Sequence, residues 1–524
     1  MNIKRDKRHI NPPPFGLIRN FIWPIHRFEL IKLIPMFILF FLISFVYNLL
    51  RCMKISLIVT ARDSGVEVIP FLKIGAVLPG ALIFTYIFTK LINRYSRERV
   101  FYTILGGFLI YFVCFLFVLF PRHDALSLDL IADFFQDYLF VTSGFKGLIA
   151  LIRHFNLTCF YVIAEMWSTV VLSILFWGFA NEVTKLHEAK RFYAIFALGA
   201  NCSGIFSGVF ARWIEMIPYI PYLPLHDGTQ WVFFQLTSIV IIGIVVLALF
   251  HKLNRSVFHL ENLESGQVPK KGNKLTMFEC FRYLGRSRYL GYIVVIVLGY
   301  NIVYNLSDVM WTYKVEEIYR YSVDVNAYMN RITSITGIVA VVLAFIVSGN
   351  VIRYYGWIVT ALIAPIVWLL TSISFFSGLV FDCALVVEIV LLFCSNPANL
   401  ILLLGSVQMC LGRACKYTVF DETKEIAFIP LPKDNQRKGK AIVDGLASRF
   451  GKSGGSLVFI LILLVCGDIV TTIPYVALII FMFITFWIYA VYKLGLMVTE
   501  SIDKEISEMD AERAAMDASN GVKT

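Results

Sequence analysis

Between residues 33 and 493 the chain returns repeatedly to apolar runs of about 20 residues, the length a helix needs to cross hydrocarbon. Twelve such runs are read, at residues 33–60, 68–92, 100–121, 153–181, 191–213, 229–251, 288–313, 327–350, 353–379, 381–406, 441–467 and 470–493. This recurrence leaves little choice of fold. Inside lipid every backbone N–H and C=O must be satisfied by the chain itself, and a helix does so within one segment. The sequence therefore predicts an all-α polytopic membrane protein with twelve transmembrane helices. Composition agrees: 58% of residues are hydrophobic and 16% charged, against roughly 45–50% and about 25% in soluble domains.

The loops carry the orientation. Lys4, Arg5, Lys7, Arg8, Arg19 and Arg27, then Arg94/Arg97/Arg99, Lys185/Lys190/Arg191, Lys252 to Arg288 and Lys416 to Lys440 all fall on one side of a twelve-span arrangement. The loops around Asp124 to Asp137, Glu215 to Asp227 and Glu316 to Asp324 hold more acid than base. Positive loops stay cytoplasmic, so both termini are predicted cytoplasmic and the net charge of +11 is mostly a topological bias. Scatter over many short loops argues against a basic stripe for nucleic acid. The ten cysteines sit mainly in apolar spans or on the positive side and are expected as free thiols packed like small hydrophobes. Neither a cleavable signal peptide nor a transit segment is recognisable, which favours a bacterial cytoplasmic membrane over an organelle envelope.

The longest polar interval between spans, residues 252–287, follows the sixth of the twelve. The predicted organisation is a cytoplasmic segment (1–32), a six-helix half (33–251), a cytoplasmic linker (252–287), a second six-helix half (288–493) and a cytoplasmic tail (494–524). Two six-helix halves that rock about a midplane site are an architecture of secondary transporters. No segment is long enough for an ATP-hydrolysing domain, so no catalytic residue, cofactor or metal site is expected.

One stretch invites another reading. "DGLASRFGKSGGS" (444–456) contains Gly-Lys-Ser, but the phosphate loop of nucleotide hydrolases needs four residues between its two glycines. Five separate Gly445 from Gly451, and no strand precedes them. Lys452 is better read as a charge inside a span. Such charges cost at least a few kcal/mol and persist where they pair or line a cavity. The first span places Arg51 and Lys54 three apart on one helix face, the fourth places Glu165 among aromatics, the seventh carries Asp308, and the eleventh carries Arg449 and Lys452. The bland reading is arginines snorkelling to an interface and acids pairing to hold helices. The sharper reading is an anionic substrate, with ammonium groups binding phosphate as point charges, the acids setting gate pairing, and the glycines near Lys452 admitting phosphate to the backbone. "GANCSGIFSG" (199–208) reads as a helix-packing run of small residues.

Four segments then resemble a known family: "KISLIVTARDSGVEVIPFLKI", "FYVIAEMWSTVVLSILFWGFANEVTKLHEAKRFY", "NLSDVMWTYKVEE" and "DETKEIAFIPLPKDNQRKGKAIVDGLASRFGKSGGS". They resemble the nucleotide transporters of obligate intracellular bacteria and plastids, the ATP/ADP translocase type. The resemblance implies a twelve-helix, major-facilitator-like fold and four charged positions essential for transport, here Lys54, Glu165, Asp308 and Lys452. The partners it implies are a nucleotide and the lipid bilayer, with protons as a coupling ion if transport is net import rather than exchange. Two departures stand out: "LRCMK" where ATP/ADP exchangers read Leu-Arg-Asp-Thr-Lys, and Asp308 where the family usually has glutamate. Classical ATP/ADP exchange, a carrier of a non-nucleotide anion, and a non-transporting membrane scaffold remain the alternatives.

Overall fold

The computed structural model describes residues 25, 29–138, 143–184, 186–222, 228–261, 287–347, 350–380, 397–431, 439–440, 443 and 447–521. Among the described residues, twelve helices are long and apolar enough to span a membrane. The first six are Leu30–Val59, Val68–Arg94, Glu98–Leu119, Phe155–Asn181, Ile195–Glu215 and Gln230–Arg255; the second six are Arg288–Ile318, Ser322–Ala344, Tyr355–Val380, Ala398–Ala427, Ser448–Cys466 and Ile469–Glu500. Among the described residues there is no strand. The helix of the sixth span runs on to Glu261, and the twelfth continues into the polar tail as far as Gly521. Residues 262–286 of the expected linker lie outside the described residues.

The tenth span differs from the sequence expectation. Its described helix runs through Ala427, beyond the expected end at 406, and residues 381–396 lie outside the described residues. Arg413 and Lys416 are therefore inside a span, although Lys416 was expected to open a cytoplasmic basic cluster. The displacement has a clear cause: "LGRACKYTVF" dilutes an apolar count with charges that tertiary contacts neutralise.

The seventh span is the most enclosed of the twelve, packed by the tenth, eleventh and twelfth, while the first is packed by the fourth, fifth, sixth and eighth. The halves meet along the fifth and eighth spans, where the small-residue run permits near contact of backbones. A β-carbon on Gly208 would come within 2.4 Å of the Asn330 carbonyl, and one on Gly337 within 2.6 Å of the Asn201 carbonyl. The seven described cysteines are free thiols; Cys280, Cys383 and Cys394 lie outside the described residues.

The halves also touch on the membrane face opposite the start of the first span, here the far face. The Val66 amide donates to Glu316 Oε2 at 2.9 Å, and a β-carbon on Gly144 would meet the Leu463 carbonyl at 2.7 Å. Beside this contact a short helix, Asp129–Tyr138, is held by its acids: Arg153 reaches Asp129 at 3.2 Å and Asp133 at 2.7 Å, and Arg62 reaches Asp129 at 3.3 Å. The Ser127 hydroxyl, then Arg62 and Arg153, hold the Asp129 carboxyl below the usual carboxylate range.

Candidate substrate site between the halves

Every charge singled out in the first, fourth and seventh spans enters one cluster. Lys54, almost wholly buried, forms an ion pair with Glu165 of the fourth span, and its ammonium lies 4.6 Å from the centroid of the Tyr161 ring. Tyr161 stands one helical turn before Glu165, so a single face of the fourth span supplies both the carboxylate and the π surface. One turn before Lys54, Arg51 donates to the Tyr304 hydroxyl at 3.0 Å and approaches Asp308 Oδ1 at 3.7 Å.

Asp308 is the hub. Arg413 of the tenth span donates to its Oδ1 at 3.2 Å, and Lys73 of the second span lies 4.0 Å from its Oδ2. A lone buried carboxylate would be costly, and here three cations compensate it. Arg413 is further fixed between the Tyr304 and Trp311 rings, 5.7 Å from each centroid. Trp311 is anchored in turn by its indole N–H donating to Ser406 at 3.0 Å.

Lys452 and Arg449 are not drawn into these pairs. Both are exposed, and among the described residues no carboxylate pairs with either. Lys452 stands on the near-face side of Asp308: its backbone carbonyl accepts from Asn305 Nδ2, and Asn305 precedes Asp308 by three residues, about 4.5 Å of helix rise. Asn305 Oδ1 accepts from Lys73, so one amide ties the second span to the eleventh across the halves.

The glycines around Lys452 act differently from the expectation that they admit phosphate. A β-carbon on Gly451 would sit 2.6 Å from Asn301 Cβ and one on Gly455 3.1 Å from Asn305 Cβ, so both serve to seat the eleventh span on the seventh. Only Gly454 of the three faces open space. Cys52, where the resembling exchangers carry an acid, turns its thiol to Thr333 of the eighth span at 3.7 Å, in the seam between the halves.

Lys73 and Arg413 were missed in the sequence. Lys73 is a single charge near the start of an apolar run, and Arg413 lay beyond the expected tenth span. A signal does exist in the backbone. π-helical segments begin at Lys73 (Lys73–Val77), two residues after Glu165 (Trp167–Phe176) and three after Arg413 (Lys416–Phe420), and such departures from α geometry concentrate at functional sites.

Two six-helix halves enclosing this cation-rich cluster define a polytopic membrane protein with a major-facilitator-like fold. Solved structures with the same fold include a bacterial homologue of the iron transporter ferroportin in its inward-facing state (TM-score 0.55, 12% identity, covering 90% of this chain and 100% of that one). A D-xylose–proton symporter matches with TM-score 0.53 at 13% identity, covering 88% of this chain and 97% of that one. The chain belongs to the TLC ATP/ADP transporter family, whose sequence profile matches residues 10–497. Among its relatives, ADP,ATP carrier protein 1 of Chlamydia pneumoniae is 39% identical over 514 residues, covering 96% of this chain and 98% of the relative. ADP,ATP carrier protein 1 of Rickettsia bellii is 35% identical over 491 residues, covering 91% and 95%.

Proposed function

We propose that this chain carries nucleotides across a bacterial cytoplasmic membrane by alternating access, with both termini in the cytoplasm and no enzymatic activity of its own. The observation that carries the reading is charge imbalance at membrane depth. Arg51, Lys54, Lys73 and Arg413 share two carboxylates, Glu165 and Asp308, and Lys452 has no acidic partner among the described residues. A di- or triphosphate supplies the missing negative charge, and ammonium groups bind phosphate without demanding fixed geometry.

The relatives' names support ADP and ATP as substrates. With the far face closed by Val66 and Glu316 and Lys452 exposed, nucleotide enters from the cytoplasmic side in this state. Lys452 and Lys54 engage the phosphates, while Glu165 and Asp308 hold the other cations between rounds. The domain plan from the sequence, 33–251 and 288–493 as the moving halves, fits this cycle. The function needs neither nucleic acid nor a metal in the protein. Proton co-transport would require Glu165 or Asp308 to release its cation and take up a proton.

Uptake by intact bacterial cells expressing the chain, with labelled ATP, ADP, GTP, UTP, CTP and NAD and with or without a protonophore, tests the reading. The expected result is saturable nucleotide uptake, lost in Lys452→Ala while membrane insertion persists. No uptake of any member of the panel, or normal uptake by Lys452→Ala, refutes it. A second reading, proton-coupled import of a nucleotide other than ATP, is favoured by Cys52 in the seam; uptake of such a nucleotide that collapses with the proton gradient would select it.

A further inference from the structure

The geometry points to Asp308 as an internal substitute for the substrate's phosphate chain, which Arg51 and Lys73 exchange for the nucleotide while Arg413 keeps Asp308 in place. This inference rests on the nucleotide-carrier reading and adds Lys73 as a phosphate ligand and Arg413 as a positioning residue.

Three observations carry it. First, the cations around Asp308 divide by origin: Arg413 belongs to the same half as Asp308, whereas Arg51 and Lys73 come from the other half. Second, they divide by access. The Arg413 side chain is only 5% exposed and boxed between Tyr304 and Trp311, while those of Arg51 and Lys73 are 17% and 22% exposed. Third, they divide by contact: Arg413 donates a hydrogen bond at 3.2 Å, but Arg51 stands off at 3.7 Å and Lys73 at 4.0 Å. Arg51 and Lys73 thus hold Asp308 loosely and can be reached, and Arg413 holds it closely and cannot.

A carboxylate and a phosphate oxygen present the same kind of acceptor to a guanidinium or an ammonium. A phosphate chain entering past Lys452 therefore competes with Asp308 for Arg51 and Lys73. When they leave, Asp308 would become an isolated buried charge but for Arg413, and the exchange is possible because that partner stays. The same exchange frees Lys73 from Asn305, so binding loosens the ties between the halves.

The test is equilibrium binding of ATP and of inorganic tripolyphosphate to the purified full-length protein. Removing the competitor in Asp308→Asn should tighten both probes, by about tenfold if the cross-half pairs are worth one decade of affinity; Lys73→Gln should weaken both. Weaker ATP binding by Asp308→Asn with tripolyphosphate unchanged would place Asp308 on the nucleoside and overturn the inference, and so would unchanged binding in Lys73→Gln. If Asp308→Asn does not fold, the double variant Asp308→Asn/Arg413→Gln, which removes one charge of each sign, takes its place with the same two criteria. The positioning role has its own readout: Arg413→Gln should lower the thermal midpoint, Arg413→Lys should recover part of the loss, and Asp308→Asn should lessen the effect of Arg413→Gln. Equal losses from Arg413→Gln in the presence and absence of the Asp308 charge would refute it. Wild-type protein that binds neither probe and takes up no nucleotide sinks the functional reading, and this inference with it, whereas wild type that binds while the variants disobey sinks the inference alone.

Discussion

In the N-terminal half, Lys54 on the first span pairs with Glu165 on the fourth; in the C-terminal half, Asp308 on the seventh pairs with Arg413 on the tenth. The first and fourth spans of each half carry these pairs, with the signs exchanged. The environments are not the same. Glu165 keeps 35% of its side-chain surface exposed, whereas both members of the C-terminal pair are nearly enclosed, at 10% and 5%. Asp308 also collects Arg51 and Lys73 from the other half, and among the described residues Glu165 has no second cation. The contrast teaches that corresponding ion pairs can differ in setting: the carboxylate of one stays open to solvent, and that of the other is enclosed and joins the halves.

The contrast can be broken first at its charges. Truncating Arg413 to alanine leaves Asp308 enclosed without its close partner and should cost about 3–5 kcal/mol, read as thermal unfolding of detergent-purified protein. Lys54→Ala leaves a carboxylate that water can still reach, and should cost only about 1–2 kcal/mol. Equal losses would mean that the two pairs are structurally alike.

Packing supplies the next test. Gly451→Ala drives a β-carbon against Asn301 and should cost about 1–3 kcal/mol, lowering the unfolding midpoint and loosening the eleventh span from the seventh. Gly454→Ala meets open space and should be neutral or stabilising by up to about 1 kcal/mol through helix propensity. The order of the two variants separates glycine as packing from glycine as a phosphate cradle.

A smaller effect is expected from reversing the N-terminal pair. Lys54→Glu combined with Glu165→Lys preserves the attraction and should keep thermal stability within about 1 kcal/mol of wild type, yet uptake should fall because the cation has moved to another span. Retained uptake would show that only the pair's existence matters.

The smallest effect lies outside the membrane. The folded-state shift of Asp129 is downward, so its stabilising contribution is present above the ordinary carboxylate range, about pH 4, and is lost as pH falls through it towards the folded value. Amide exchange across Asp129–Tyr138 should quicken over that window in wild type and lose the dependence in Asp129→Asn. An unchanged profile in the variant would assign the acid sensitivity to Asp133 or another group.

Much of the charge cluster was legible because a charge in an apolar run is conspicuous: Arg51, Lys54, Glu165 and Asp308 stand out in this way, as do Arg449 and Lys452, which lie outside its ion pairs. Lys73 and Arg413 were hidden by the same logic. Lys73 sits where a span begins and reads as an end charge, and the dilution that displaced the tenth span concealed Arg413. The glycines beside Lys452 were visible, but not their use, because a glycine that admits a ligand and one that admits a neighbouring helix look alike in one dimension.

The sequence by itself determined twelve helices, their grouping into two halves and the family, because hydrocarbon thickness fixes segment length and unsatisfied backbone groups are intolerable in lipid. Only the tertiary structure decided which charge meets which. Lys54 and Glu165 are 111 positions apart and Asp308 and Arg413 are 105, and Coulomb energy depends on distance in space and on local burial, neither of which is written along the chain.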